Sequence, residues 1–205
     1  MKLPTVLQTG LAAALLAGLL ATAPDAQARV RTVTDPQAPR ALPADGPVSV
    51  QWTDPNQFTE IRSSGNRFQA QQGNWVQDLA GYFRDSVARR LPPGDRMQIT
   101  ITDIKRAGQY EPWHGPRSDD IRIVKDLYPP RLSFNYAWTD SSGKVIDQGE
   151  QRLIDTAFLV NDSRIGNSDP LRYEKRMIDE WTRKQFRAEA TTAPARRAAE
   201  SGAAG

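Results

Sequence analysis

The chain has 205 residues, one histidine and no cysteine, with a formal net charge of +3 and a pI near 9.3. Without cysteine it can form no disulfide framework, no cysteine-ligated metal centre, no thiol nucleophile and no lipid anchor on an N-terminal cysteine. The length suits one domain with a hydrophobic core and is short for two.

Residues 1–28 have the pattern of a secretory signal peptide. Lys2 starts a short positive region, residues 11–21 are apolar or small, and Ala26-Gln27-Ala28 has the small-x-small form of a cleavage site. Because the apolar run is too short to span a bilayer, we expect it to be removed rather than to act as a transmembrane anchor. The pattern predicts export to the periplasm.

The excess positive charge lies at the two ends of the chain, because residues 45–186 hold equal numbers of basic and acidic side chains. Residues 29–45 and 188–205 are rich in Ala and Arg without an apolar period. They predict a flexible lead-in and a disordered tail around a single domain, residues 46–187. No basic stripe with interleaved aromatics is visible, so we expect no nucleic-acid partner.

The first strand of this domain is predicted at residues 48–52, where apolar residues alternate. Asp54-Pro55 then turns the chain, and Phe58 and Ile61 are expected to return to the core. A helix is predicted from Asn74, an N-cap residue whose capping box Gln77 can complete, to the breaker at residues 92–94.

The clearest alternation lies in residues 97–102, which predict a second strand. Its parity puts Asp103 on the face of Met97, Ile99 and Ile101. An acidic side chain at the end of a core-facing row requires a partner. A structural ion pair or a helix cap is the commoner explanation, and a functional site the rarer one.

The second half of the domain predicts a hairpin and a helix. Alternating residues 132–138 include an aromatic row, residues 140–143 form a turn, and residues 145–153 return. Asp169-Pro170 then predicts the start of a helix. The predicted fold class is α+β: a single domain with a small, mainly antiparallel sheet of about four to five strands and two helices packed on one face.

Residues 110–131 are less typical of a domain without a binding site. Trp113 and His114 lie in a loop restricted by Pro and Gly, where binding residues often occur; alternatively, Trp113 seals one end of the sheet and His114 faces solvent. Residues 121–124 read as a strand with a possible bulge, and residues 128–130 as an extended edge.

This segment also carries a dense mixture of charges, which more often forms a salt-bridge lattice than a catalytic centre. Asp103, Asp119 and Asp126 are our structural ion-pair candidates. The candidate binding residues are Trp113, His114, Arg117, Asp120, Arg122, Lys125, Tyr128 and Arg131.

Several blocks resemble one bacterial family. Asp-Asp-Ile-Arg-Ile-Val-Lys-Asp at residues 119–126, running into Tyr-Pro-Pro-Arg at 128–131, is the most specific, and Pro112-Trp113 and residues 173–181 support it. These resemble the "domain of unknown function" family numbered three thousand and sixteen over about residues 46–187. The resemblance implies an exported, mostly proteobacterial protein of this size and carries no activity.

Three classes of function stay open, the third being a stress or housekeeping factor that touches anionic lipid or glycan through its basic ends. The first is a non-enzymatic binding or structural accessory module of the cell envelope, with an unknown envelope protein or small ligand as partner. The second is an envelope hydrolase that pairs carboxylates from Asp103, Asp119, Asp120, Asp126 and Glu150. Neither Gly-x-Ser-x-Gly nor His-Glu-x-x-His occurs, and no glycine loop cradles phosphate. We therefore predict no catalytic residue, metal or cofactor.

Overall fold

A computed structural model describes residues 32–115, 119–160 and 168–202, with only the backbone described from residue 189 onward. The predicted signal peptide therefore lies outside the described residues. The helices are α1 Thr59–Arg62, α2 Arg67–Gln71, α3 Trp75–Ala88 and α4 Arg172–Gly202. The strands are β1 Val48–Trp52, β2 Arg96–Lys105, β3 Gln109–Tyr110, β4 Arg122–Ile123, β5 Arg131–Thr139 and β6 Val145–Ile154.

Four strands form a mixed sheet in the order β1-β2-β5-β6. β1 is parallel to β2, because the chain crosses through α3 between them, and β5 is antiparallel to both of its neighbours. β3 and β4 pair separately as a two-stranded ribbon. The predicted α+β class is confirmed, as is the hairpin that joins β5 to β6.

The core lies between one sheet face and the helices α3 and α4. Alternation along β5 buries Leu132, Phe134, Tyr136 and Trp138. Phe134 meets Trp181 of α4 edge-to-face, with ring centroids 4.8 Å apart. Such geometry is favoured by the ring quadrupoles and adds to the gain from burial.

The opposite sheet face is polar and needs no cover. Ser49, Gln51 and Gln98 are exposed there, and the Gln51 side-chain amide donates to Thr100 Oγ1 at 3.0 Å. A sheet built largely of antiparallel pairs can leave one such face in water.

The prediction that Asp103 lies on the core-facing side of β2 is wrong, because β2 contains a bulge. The register with β5 shifts between Ile101 and Asp103, so that Ile104 continues the buried row instead. The Asp103 carboxylate accepts from Thr59 N at 2.5 Å and from Thr59 Oγ1 at 2.6 Å. Asp103 therefore satisfies the first turn of α1.

One of the two predicted helix caps is absent from the structure, and the other is present. The Asn74 side chain makes no cap hydrogen bond and donates instead to Asp78 Oδ1 at 3.1 Å, so the predicted capping box is wrong. Asp169 Oδ1 does accept from Leu171 N at 2.8 Å, just ahead of α4. This helix continues to Gly202, through the segment whose composition predicts disorder.

The described part of the predicted lead-in lies against the domain. Leu42 N donates to Val50 O, and Trp52 N donates to Arg40 O, each at 2.9 Å. These bonds cover the free edge of β1. Val33 packs on the core as well, and its N–H donates to Gln71 O at 2.9 Å.

We expect Phe83→Ala to lower the free energy of unfolding by about 3–5 kcal/mol, because it opens a cavity between α3 and the sheet. The matched control is Phe68→Ala, whose ring is 69% exposed and whose loss should change stability by less than about 0.5 kcal/mol. Urea unfolding followed by tryptophan fluorescence measures both. Equal losses in the two variants would contradict this assignment of the core.

Candidate functional site

Residues 106–130, here called the connecting segment, join β2 to β5. They leave the sheet, form the β3–β4 ribbon and return. Gly108 begins this excursion with φ +82°, and a Cβ atom there would lie 2.7 Å from Ile123 O. Both the left-handed conformation and the close approach to β4 thus require glycine.

The buried carboxylate of Glu60, in α1, fixes the start of the connecting segment, where the chain leaves β2. Glu60 is 1% exposed, and Lys105 Nζ and Arg106 Nη2 lie 3.3 and 3.1 Å from its oxygens. Arg122 of β4 contacts the same carboxylate and donates to the carbonyls of Ala107 and Gly108 at 3.2 Å. One anion thus joins α1, the end of β2 and the ribbon.

Electrostatics keep Glu60 ionised. Burial by itself raises the pKa of Glu60, but Arg122, Arg106 and Lys105 together outweigh it and hold that pKa below its usual value. Burial lowers the pKa of Lys105, against the attraction of Glu60. Three cations around one carboxylate leave an excess of positive charge, which carbonyl oxygens partly offset: Lys105 Nζ donates to Gly108 O at 2.8 Å.

A second buried carboxyl group, Glu174 of α4, contacts the start of the connecting segment as well. Its Oε1 accepts from Ala107 N at 2.6 Å. Its Oε2 is buried and has no hydrogen-bond partner among the described residues. Burial raises the pKa of Glu174 above the usual range, against the opposing Ala107 hydrogen bond.

The outer part of the segment is organised by Glu111, which is 2% exposed. Its carboxylate accepts from Lys125 Nζ at 2.7 Å and Tyr128 OH at 2.6 Å, and His114 Nε2 lies 2.8 Å away. Hydrogen bonds lower the pKa of Glu111 to about 2, with the largest effect from Lys125 and the next from Tyr128. Three of the predicted binding residues therefore meet at one carboxylate that the sequence reading missed.

Apolar side chains of the segment point into solvent. Trp113 is 67% exposed, Leu127 72% and Ile121 54%. The expectation that Trp113 seals the sheet is therefore wrong. Among described residues 109–128, Tyr110 is the only hydrophobic side chain that is buried. The segment is thus fixed by ionic contacts while its large apolar groups face outward.

The other predicted site residues lie apart from Glu111. Asp120 Oδ1 accepts from Gln69 Nε2 at 3.0 Å, which ties the segment to α2. Arg131 lines a shallow groove on the polar sheet face. Within the described ranges neither Asp119 nor Asp126 forms an ion pair, and one Asp119 oxygen is buried without a partner. Arg117 lies outside the described residues.

Sequence reasoning missed five charged residues that build these contacts: Glu60, Lys105, Arg106, Glu111 and Glu174. One signal was available. Glu174 occupies a position of the apolar stripe of α4, three residues after Leu171 and four before Ile178. A charged residue at such a position indicates a buried polar contact.

The geometry resembles a structural network more than a catalytic centre. Asp103 and Asp120 are engaged separately, by Thr59 and by α2. In the part of the chain that is described, no three His, Cys, Asp or Glu side chains are grouped to hold a metal ion. No described helix is long and apolar enough to cross a membrane.

A family model described as "Protein of unknown function (DUF3016)" matches residues 46–184. The chain belongs to this family. The resemblance found in residues 119–131 is thereby confirmed, and the matched range includes Glu60, Glu111 and Glu174. No curated protein and no solved structure matches the chain.

We expect Glu60→Gln to destabilise the fold by about 3–5 kcal/mol, because three cations would remain near the core without their counter-charge. The control is Glu180→Gln, which removes an exposed ion pair with Lys184 and should cost less than about 1 kcal/mol. Chemical denaturation measures both. If Glu60→Gln were as stable as the control, the prediction would be wrong. The three cations would then be hydrated by solvent in place of their contact with Glu60.

Glu174 should make stability depend on pH. Its pKa is raised in the folded state, so its contribution is fully present below the unfolded-state pKa and is lost as pH rises through the folded-state pKa. Stability measured from about pH 5 to 8 should fall less steeply in Glu174→Gln than in the unmodified protein. Phe68→Ala, which removes no ionisable group from an exposed position, should leave the slope unchanged.

Proposed function

We propose that this protein is a non-enzymatic binding or structural accessory module of the cell envelope, exported to the periplasm, and that it contacts a protein partner through the connecting segment. One observation carries the proposal. The buried carboxylates of Glu60 and Glu111 hold the segment in place, yet the segment presents large apolar side chains to solvent. These side chains are Trp113, Ile121 and Leu127.

The energetics favour an interaction role. Exposing large apolar groups gains nothing for folding, and burying Glu60 and Glu111 incurs a desolvation cost that apolar residues would avoid. What these ionic contacts supply is a fixed backbone. A rigid surface loses less conformational entropy on association, and an exposed tryptophan is the side chain most often found at energetic hot spots.

The charges around the apolar groups favour a protein over a lipid surface. Lys125, Asp120 and Asp126 are exposed beside them, so both signs are present. A polar rim of mixed charge around apolar anchors is typical of protein interfaces. Anionic membranes select an excess of Lys and Arg instead. Export rests on the residue pattern of positions 1–28.

Site-specific photo-crosslinking in the native host tests the proposal. A photoreactive amino acid replaces Trp113 or Leu127, and the control probe replaces Arg183 on the exposed side of α4. We expect one discrete protein adduct from both segment probes and none from the control. Tyr128 is unsuitable as a probe position, because its hydroxyl holds Glu111.

The matching variant is Trp113→Ala assayed with the probe at residue 127. We expect the adduct to weaken strongly while the unfolding free energy changes by less than about 0.5 kcal/mol, since the ring is 67% exposed. Adducts of equal yield at residues 127 and 183, or none in cells where the protein is abundant and folded, would overturn the proposal.

A further inference from the structure

The two edges of the main sheet differ in their cover. The β1 edge carries the backbone bonds from Arg40 and Leu42 described above. At the other edge, β6 has ten residues and no proline, and it pairs only with β5 in the part of the chain that is described. A long uncovered edge offers its outward N–H and C=O groups to another strand.

The hydrogen-bond pattern identifies the outward backbone groups of β6. Asp155 N donates to Pro130 O at 3.3 Å, in the same register that joins β5 to β6. Because hydrogen-bonded and non-hydrogen-bonded pairs alternate in an antiparallel ladder, the even-numbered residues of 148–154 direct their backbone groups away from β5. Gln148 agrees with this pattern, since its N–H donates to the Asp147 side chain at 2.9 Å. These outward groups are the ones that a further strand would bond.

The side chains along this edge match a second copy of the same strand. Glu150 and Arg152 lie on either side of Gln151 and contact each other at 2.7 Å, but both are exposed, so this contact contributes little and can be exchanged. If two copies pair antiparallel with Gln151 opposite Gln151, each Glu150 lies opposite an Arg152. Centring the pair on residue 150 or 152 would instead place like charges opposite one another, which is unfavourable. Charge therefore selects the register that spans residues 148–154.

A groove of about 660 Å³ lies beside this edge, between the end of β6 and α4. Trp181 is level with Gln151, because Phe134 is the register partner of Gln151 and contacts the Trp181 ring. A two-fold axis through Gln151 therefore runs the two α4 helices antiparallel on either side of the joined grooves. Glu180 and Lys184 line the groove with opposite charges, so each has an opposite charge available across the axis.

The acidic residues just beyond the paired region already have partners in their own chain. Asp147 and Asp155 lie opposite each other in the selected register. The Asp147 carboxylate accepts from Tyr136 OH at 2.8 Å, and that of Asp155 accepts from Arg176 Nη2 at 2.6 Å. Their repulsion across the axis is therefore reduced.

We propose that β6 pairs with β6 of a second copy of this chain, antiparallel about a two-fold axis at Gln151, so that the two sheets become one. The outward backbone groups of residues 148–154 bond across the axis, and the contacts between Glu150 and Arg152 set the register. Because the same surface is used on both copies, the contact closes on itself and yields a dimer rather than a fibre. This edge shares no residue with the connecting segment, so the proposal is independent of the proposed function.

Because the chain has no cysteine, a single Gln151→Cys variant tests the register directly. In the proposed dimer residue 151 forms a non-hydrogen-bonded pair with itself, whose Cα atoms lie about 4.5 Å apart, within the range of a disulfide. We expect mild oxidation of the protein purified from its host to link two copies. The control is Val145→Cys, an exposed position whose two copies would lie about 40 Å apart. No linked dimer from Gln151→Cys, or equal yields from both variants, would overturn the proposal.

Sedimentation equilibrium measures the association without a covalent link, and we expect a reversible dimer with a Kd of about 1–100 μM. Arg152→Glu should weaken it about tenfold or more, because like charges then face each other across the axis. Combining Arg152→Glu with Glu150→Arg should restore it, since opposite charges face each other again. Arg96→Glu makes the same charge change at an exposed position of β2 and should have no effect. A monomer at every concentration, or a double variant as weak as Arg152→Glu alone, would contradict the pairing.

Discussion

The contact on which most of the architecture depends is the buried carboxylate of Glu60. α1 has four residues and cannot hold its position by its own hydrogen bonds. Asp103 fixes its first turn, and Glu60 fixes its second residue to the end of β2 and to β4. Without that anion, Lys105, Arg106 and Arg122 would repel one another at the point where the chain leaves the sheet.

The aromatic surroundings show why these cations can lie so close together. The Arg106 guanidinium stacks over the Trp75 ring at 4.5 Å, and Arg122 over Tyr110 at 4.7 Å. Stacking on a ring face attracts a cation without requiring another anion. Arginine tolerates this partly dehydrated position better than lysine, because its charge is delocalised over a plane.

The sequence predicted the elements better than the contacts between them. Alternation along β1, β2 and β5 was sufficient for the sheet, because those rows are purely apolar on one face. The bulge after Ile101 has no such signature, so alternation alone places Asp103 on the wrong face of β2. In the candidate site, Lys125, Tyr128 and His114 were recognised individually, but the residue that joins them, Glu111, was not. Its role depends on folding that brings positions 111, 125 and 128 together, which local pattern does not encode.

The hydrophobic core and the connecting segment are therefore held by different forces. The apolar face of the sheet, with α3 and α4, contains nearly all of the buried hydrophobic surface, while the connecting segment is held by charge. Ionic contacts are directional, and breaking one leaves an unpaired charge, so they specify one arrangement where apolar contacts would allow several. The proposed partner contact requires Trp113 in one position, and ionic contacts meet that requirement better than additional burial would. This contrast, apolar side chains exposed on a segment held by charge, is the observation on which the proposed partner contact rests.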